Sequence, residues 1–88
     1  MINILDKKIK AIYTGPGGYD SDKEQAERVL VKGREYTVEA LYIGGFRSTV
    51  QLLEVGDLHD FEDWMFDFYD AEGNSIDIVG EYKELFGY

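Results

Sequence analysis

Apolar and polar residues alternate in short stretches along this chain, a pattern typical of half-buried β-strands. Residues 9–13 alternate in this way and include β-branched side chains, so we predict a strand of about five residues there. Residues 36–42 and 46–52 place apolar side chains at every second position and predict two further strands. Residues 64–69 predict an aromatic strand, and residues 76–79 predict a last strand antiparallel to it.

The two central strands are joined by a Gly-Gly pair, which predicts a hairpin turn. Register decides the length of the loop, because a slip of one residue turns every side chain to the other face. A two-residue loop would place Val50 opposite a glutamate, on the wrong face of the sheet. A three-residue loop over residues 43–45 pairs Tyr42 with Phe46 and keeps the apolar positions together, so we predict the three-residue loop.

Turn and capping residues mark the ends of the predicted elements. The glycine-rich stretch 14–18 predicts a loop, and Gly33 predicts a tight turn. Ser21 and Glu24 have the spacing of a capping box, in which each side chain bonds the other residue's backbone amide. We therefore predict a short helix at about 22–28.

The second half of the chain is more polar. Residues 56–63 predict a polar connection, and residues 70–75 have the composition of a turn. Gly80 is expected to end the last strand, and residues 81–88 predict a frayed helical turn that docks Tyr82, Leu85 and Phe86. Five or six short antiparallel strands with one short helix predict a mainly β fold, a small barrel in a single domain.

Four motifs occur in a familiar order, at residues 18–22, 30–38, 44–48 and 61–66. With them the chain resembles the small SH3-like β-barrel proteins of phages and prophages. The resemblance covers roughly residues 8–69 and implies an SH3-like fold and a phage habitat, but no particular activity. It also implies a single helical turn at 61–64, before the last barrel strand. Residues 70–88 would then be an extra C-terminal hairpin and tail.

Charge is distributed unevenly along the chain. Residues 51–88 contain eleven acidic residues and one basic residue, whereas the first 50 contain seven acidic and eight basic residues, for a net charge of −9. Such a potential repels phosphate backbones and anionic membranes and attracts basic surfaces. We therefore expect a basic protein as the partner, rather than nucleic acid or a membrane. No apolar run approaches the roughly 20 residues of a transmembrane helix.

Few residues are suited to catalysis. His59 is the one histidine, no serine lies in a Gly-x-Ser-x-Gly motif, and the chain has no cysteine, which fits a reducing cytoplasm. The acidic stretches 20–24 and 70–77 have oxygen ligands for a cation, but a helix cap and a hairpin turn explain them better. We expect a binding protein without enzymatic activity, cofactor or metal.

Two candidate contact surfaces remain. The first is an acidic face that docks a basic protein, in the manner of an inhibitor or a DNA mimic, since duplex DNA carries about one charge per 1.7 Å of axis. Asp67 and Asp77 are expected to point outward on their strands, and the full set is Asp57, Asp60, Glu62, Asp63, Asp67, Asp70, Glu72 and Asp77. The alternative is a groove for an extended peptide, lined by Tyr19, Tyr42 and Trp64.

Overall fold

The computed structural model describes residues 1–15 and 27–87. Seven strands form one antiparallel sheet with the path β5-β4-β3-β2-β6-β7, and β1 also pairs with β3. Their bounds are β1 Ile2–Asn3, β2 Lys10–Tyr13, β3 Glu35–Ile43, β4 Ser48–Leu52, β5 Gly56–Glu62, β6 Phe66–Tyr69 and β7 Ser75–Ile76. Helix α1, Ile78–Tyr82, follows β7 and continues as a 3-10 turn over Lys83–Phe86. The mainly β prediction is confirmed, but the sheet does not close into a barrel.

Strands β1 and β2 both lie along the same edge of β3. The chain leaves that edge between them in a 3-10 turn, Leu5–Lys7, and returns through Lys8, which has the positive φ of 58°. Ile4 and Ile9 lie on either side of this detour and are almost completely buried. The strand predicted at 9–13 is therefore confirmed, and the apolar residues before it form a second, shorter strand.

The β3–β4 hairpin has a four-residue loop, so the predicted three-residue loop is wrong. Ile43 pairs with Ser48, and within the loop the backbone N–H of Gly44 donates to the carbonyl of Arg47 at 3.1 Å. A bulge in β3 between Val38 and Ala40 shifts the alternation by one residue. Consequently Leu41 and Ile43 are buried and Tyr42 is exposed, while Phe46 lies in the loop rather than opposite Tyr42.

Strand β5 occupies most of the stretch expected to be a polar connection. It pairs with β4 through Phe61 opposite Val50 and Glu62 opposite Thr49. The helical turn expected at 61–64 begins two residues later, as a 3-10 turn over Asp63–Met65. Trp64 therefore lies in this turn and not in the aromatic strand, which comprises β6 alone.

The C-terminal hairpin is confirmed, with β6 and β7 joined by the predicted turn. Its second strand has only two residues, however, because the chain turns into α1 where we predicted a strand over 76–79. Gly80 lies inside this helix instead of ending a strand. Residues 27–29 are helical, but the rest of the predicted helix at 22–28 lies outside the described residues, as do the loop residues 16–18.

The core fills one side of the bent sheet and is closed by Leu30, by Met65 of the 3-10 turn and by Ile78 of α1. Tyr82 and Phe86 pack against it from the C-terminal segment, as predicted, whereas Leu85 is exposed. The buried apolar side chains of this core cluster are Ile4, Ile9, Ala11, Tyr13, Leu30, Tyr36, Val38, Leu41, Ile43, Val50, Leu52, Phe61, Met65, Phe66, Phe68 and Ile78.

Candidate binding site

A cleft of about 750 Å³ lies between two turns at one end of the sheet. One wall is the β3–β4 loop, residues 44–47, together with Ser48, and the other is formed by residues 62–64. These segments meet because β4 and β5 are antiparallel, so the start of β4 lies beside the end of β5. The fold thus brings a glycine loop and an aromatic turn to the same opening.

Glu62 lies at the base of this cleft and is only 4% exposed. Its Oε2 accepts a hydrogen bond from the indole N–H of Trp64, and its Oε1 lies 3.0 Å from Nη2 of Arg47. No described group donates a hydrogen bond of good geometry to Oε1. A buried carboxylate is stable only when it is paired, so Arg47 supplies the charge that Glu62 needs. Glu62 therefore belongs to an internal ion pair and not to the open acidic face on which we predicted it.

Two large aromatic side chains flank the cleft. Phe46 is fully exposed at the tip of its loop, and Trp64 is 51% exposed on the opposite wall. Single exposed apolar residues are ordinary on protein surfaces, but a pair of aromatic rings around one cleft is typical of a binding site. Arg47 lines the same cleft, with 55% of its side chain exposed.

Three predicted acidic residues come together beside the cleft. Asp63 lines the cleft, while Asp67 on β6 and Asp77, which directly follows β7, are the chain neighbours of the paired residues Phe68 and Ile76. Burial raises the pKa of the Asp63 carboxyl and the negative charge of Asp77 raises it further, although backbone amides that donate to it act in the opposite direction. Asp67 and Asp77 are both exposed, as predicted. We call Asp63, Asp67 and Asp77 the acidic cluster.

The other predicted acidic residues are dispersed. Asp60 accepts a hydrogen bond of 2.8 Å from the side chain of Gln51 on β4, and Glu72 is exposed in the β6–β7 turn. Asp70 organises that turn, because its Oδ1 accepts hydrogen bonds of 2.9 Å from the backbone amides of Glu72 and Asn74. These hydrogen bonds lower the pKa of Asp70. The side chain of Asp57 lies outside the described residues.

A second group of acidic residues acts on Tyr82, and two of its three members, Glu81 and Asp6, are outside the predicted set. Burial raises the pKa of the Tyr82 phenol, and the charges of Glu81, Asp6 and Asp70 raise it further. Asp6 comes from the N-terminal 3-10 turn, far from the acidic half of the sequence. The negative potential of the C-terminal segment is therefore extended by a residue whose position only the fold reveals.

The alternative peptide groove is partly assembled. Tyr42 is exposed on β3, where its ring makes an edge contact with Phe86 and crowds the backbone of Gly44 in the cleft loop. Trp64 lines the cleft itself, whereas Tyr19 lies outside the described residues. Phe46, which we predicted in a strand, is the most exposed aromatic residue at this site among those that the structure describes.

Several of the basic residues are interleaved with acidic ones. Besides Arg47, Lys10 donates a hydrogen bond of 3.2 Å to the hydroxyl of Thr37. Burial alone would raise the pKa of Glu54, but hydrogen bonds from Thr37 outweigh this and lower it, with help from the charge of Lys10. His59 stacks on Phe61 with ring centroids 6.1 Å apart, so its imidazole has a packing role.

Within residues 1–15 and 27–87, no three or more His, Asp or Glu side chains are grouped so that they could share a metal ion. In the same part of the chain, none of the helices is both long enough and apolar enough to cross a bilayer.

Comparison with family models identifies the family. Residues 8–85 match the model described as Bacteriophage T4 protein Y07B. The chain belongs to this phage family. Within the Y07B match lie strands β2 to β7 and helix α1, so both the cleft and the acidic cluster are inside it. Searches of curated proteins and of solved structures give no match. The phage habitat is thus confirmed, whereas the likeness to SH3 domains stays a prediction.

Proposed function

We propose that this phage protein is a non-enzymatic binding protein that inhibits or modulates a basic protein in the cytoplasm of the infected bacterium. The acidic cluster is the observation that supports the proposal, because it gathers Asp63, Asp67 and Asp77 at the start of β6 and the end of β7. Like charges held close together oppose folding, and where they face each other across strands the cost reaches about 1 kcal/mol relative to neutral pairs. Contact with a basic surface would remove this cost.

Long-range electrostatics favour the same partner. The net charge of −9 lies mainly in the second half of the chain, and at physiological salt it acts over a Debye length of about 8 Å. Such a field accelerates association with a basic protein and opposes contact with nucleic acid or anionic lipid. A host protein with a basic groove for nucleic acid is the partner class that this charge pattern would suit.

Charge reversal tests the proposal against a control of equal net charge. The test variant is Asp67→Lys with Asp77→Lys, and the control is Glu27→Lys with Glu35→Lys, since all four side chains are exposed. Each tagged protein is incubated with bacterial lysate at about 50 mM and about 500 mM salt, and the bound proteins are quantified by mass spectrometry. We expect the wild type and the control to retain a common set of basic proteins at low salt.

The expected loss is specific to the acidic cluster. Asp67→Lys with Asp77→Lys should reduce capture of these proteins at least about tenfold, since interfacial charge pairs control both association and specificity. High salt should release them from the wild type. Equal capture by both variants, or capture that salt does not change, would refute the proposal.

A second candidate function is supported by the cleft. An extended peptide of a partner protein would bind between Phe46 and Trp64, with its backbone against the glycine loop. This function predicts that Phe46→Ala abolishes capture while Asp67→Lys with Asp77→Lys has little effect. The same lysate experiment therefore separates the two functions.

A further inference from the structure

We infer that the cleft binds an arginine side chain of the partner, whose guanidinium stacks between Phe46 and Trp64 and pairs with Glu62. This inference rests on the proposed function, because it assumes that the partner is a basic protein. It goes further by assigning a specific pocket, a specific side chain and an exchange with a residue of the protein itself. The occupant is stated by its chemistry, a planar cation on a flexible stem.

The aromatic walls favour a planar cation. The face of a tryptophan or phenylalanine ring attracts a cation, and arginine engages aromatic rings in this way more often than lysine. Phe46 is fully exposed and Trp64 is half exposed on opposite sides of the cleft, so both rings are available to such a side chain. A guanidinium can stack on a ring and still donate hydrogen bonds at its edge.

The base of the cleft has hydrogen-bonding capacity left. Glu62 is buried, Trp64 donates to its Oε2, and its Oε1 accepts no hydrogen bond of good geometry from the described residues. A carboxylate can accept two parallel hydrogen bonds from one guanidinium, and this paired arrangement is the strongest that it forms. The present ion pair leaves part of that capacity unused.

Arg47 occupies the place that the partner's guanidinium would take. Its Nη2 lies 3.0 Å from the Oε1 of Glu62, and that oxygen is covered. The Arg47 side chain is 55% exposed, however, so moving its guanidinium into solvent would leave no buried charge on Arg47 itself. We therefore expect the partner's arginine to displace Arg47 and to take over its role of neutralising Glu62.

The neighbouring charges favour a second cation at this site. Asp63 lines the same cleft, and its pKa is raised by burial and further by the charge of Asp77. The cleft lining contains two acidic residues, Glu62 and Asp63, and one basic residue, Arg47. An incoming arginine would thus enter a site with excess negative charge, whereas an incoming carboxylate would be repelled.

The test uses a short glycine peptide with two arginines as the probe, and lysine and citrulline versions as its controls. Trp64 is the one tryptophan of the chain, so its indole N–H signal in NMR spectra reports directly on the cleft. We expect the arginine peptide to shift this signal and to bind about threefold more tightly than the lysine peptide. The citrulline peptide keeps the shape but lacks the charge, and it should not bind.

Two pairs of variants distinguish binding in the cleft from general electrostatic attraction of the peptide. Phe46→Ala should weaken binding of the arginine peptide about fivefold. Leu53 is also an exposed apolar residue, and Leu53→Ala should leave the binding unchanged. Arg47→Ala should strengthen binding at least about threefold, because the internal competitor is removed. Arg34→Ala makes the same change in net charge at an exposed position away from the cleft. It should strengthen peptide binding by less than about 1.5-fold.

The outcomes separate this inference from the proposed function. If the arginine peptide leaves the Trp64 signal unchanged, or if Arg47→Ala behaves like Arg34→Ala, the arginine pocket is refuted. The lysate experiment with the acidic-cluster variants still decides the proposed function independently. Phe46→Ala changes a fully exposed side chain, so its comparison with Leu53→Ala does not depend on the stability that Arg47→Ala loses, and equal binding by these two variants would also refute the arginine pocket.

Discussion

Gly44 is the residue at which the β3–β4 loop is most sensitive to added volume. A β-carbon at this position would lie 2.8 Å from Cε2 of Tyr42 and 2.9 Å from the backbone carbonyl oxygen of Arg47. That carbonyl accepts the hydrogen bond from the Gly44 amide that closes the loop. The Tyr42 ring also contacts Phe86, with ring centroids 6.0 Å apart, so it cannot move away without disturbing the C-terminal segment.

We predict that Gly44→Ala destabilises the fold by about 2 kcal/mol, within the range of about 1–3 kcal/mol for overpacking. The φ of Gly44 is outside the left-handed region, so crowding and not backbone strain is the cause. For a domain of this size, about 2 kcal/mol lowers the melting temperature by about 8–16 °C. Binding at the cleft should weaken as well, since Phe46 and Arg47 belong to the same loop.

Gly45→Ala is the matched control. It lies in the same loop, its φ is also outside the left-handed region, and a β-carbon there meets nothing within 4 Å. Because alanine restricts the unfolded chain, Gly45→Ala should be neutral or stabilise by up to about 0.5 kcal/mol. Urea denaturation followed by circular dichroism and by Trp64 fluorescence measures both free energies of unfolding. Variants that differ by less than about 0.5 kcal/mol would show that the crowding argument is incorrect.

Three further predictions concern charge and helix propensity. Arg47→Ala should destabilise by about 1–3 kcal/mol because it leaves Glu62 buried without a cation, and adding Glu62→Gln should recover most of the loss in a double-mutant cycle of urea midpoints. If the two losses simply add, the ion pair does not act as described. Burial and the charge of Asp77 raise the pKa of Asp63 above its ordinary 3.8, so the folded state favours the protonated carboxyl. The stability that this preference contributes is complete below pH 3.8 and is lost as the pH rises through the folded-state pKa. Asp63→Asn should therefore be about 0.5 kcal/mol more stable than the wild type at pH 7, and solvent screening keeps this gain small. At pH 3 the variant should be no more stable than the wild type. Equal effects at the two pH values would contradict the argument. Gly80→Ala should stabilise α1 by about 0.5 kcal/mol, because alanine favours a helix more than glycine does. The added β-carbon would clash only with the side chain of Asp77, whose carboxylate can move. A lower melting temperature in thermal denaturation would mean that this carboxylate is held in place.

Much of the fold can be predicted because alternation in a half-buried strand follows directly from the pleat. The pattern fails where a bulge intervenes. Between Val38 and Ala40 an extra residue shifts the register, and no residue type in the sequence marks this position. The fourth loop residue and the exposure of Tyr42 both depend on that bulge. Phe46 would lie in the loop even without it, because the pairing of Val38 with Leu52 alone would leave residues 44–46 unpaired.

The C-terminal segment was mispredicted for a different reason. Ile76, Ile78 and Val79 are β-branched residues and favour a strand, while Gly80 disfavours a helix. In the fold, Ile78 reaches the core from a helix, and burial of its side chain outweighs these local preferences. Tertiary packing decides such short segments, because a helix of five residues has little intrinsic stability.

The candidate site was predicted in part. Alternation alone places Asp67 and Asp77 outward, and the fold brings Asp63 near Asp77. Glu62 was assigned to the same surface, although it is buried, because its partner Arg47 is distant in sequence and lies in the unexpected loop. Pairing between distant residues requires the register of β3, β4 and β5, which the sequence alone did not supply.

Strand β3 joins two parts of the described sheet, with β4 and β5 on one side and β2, β6 and β7 on the other. Neither part can separate unless β3 gives up one of its ladders. Amide protons of β3 should therefore be among the last to exchange with deuterium, at a free energy close to that of complete unfolding. A protease that acts on the native protein would cleave β3 only after the outer strands of the sheet have unfolded locally.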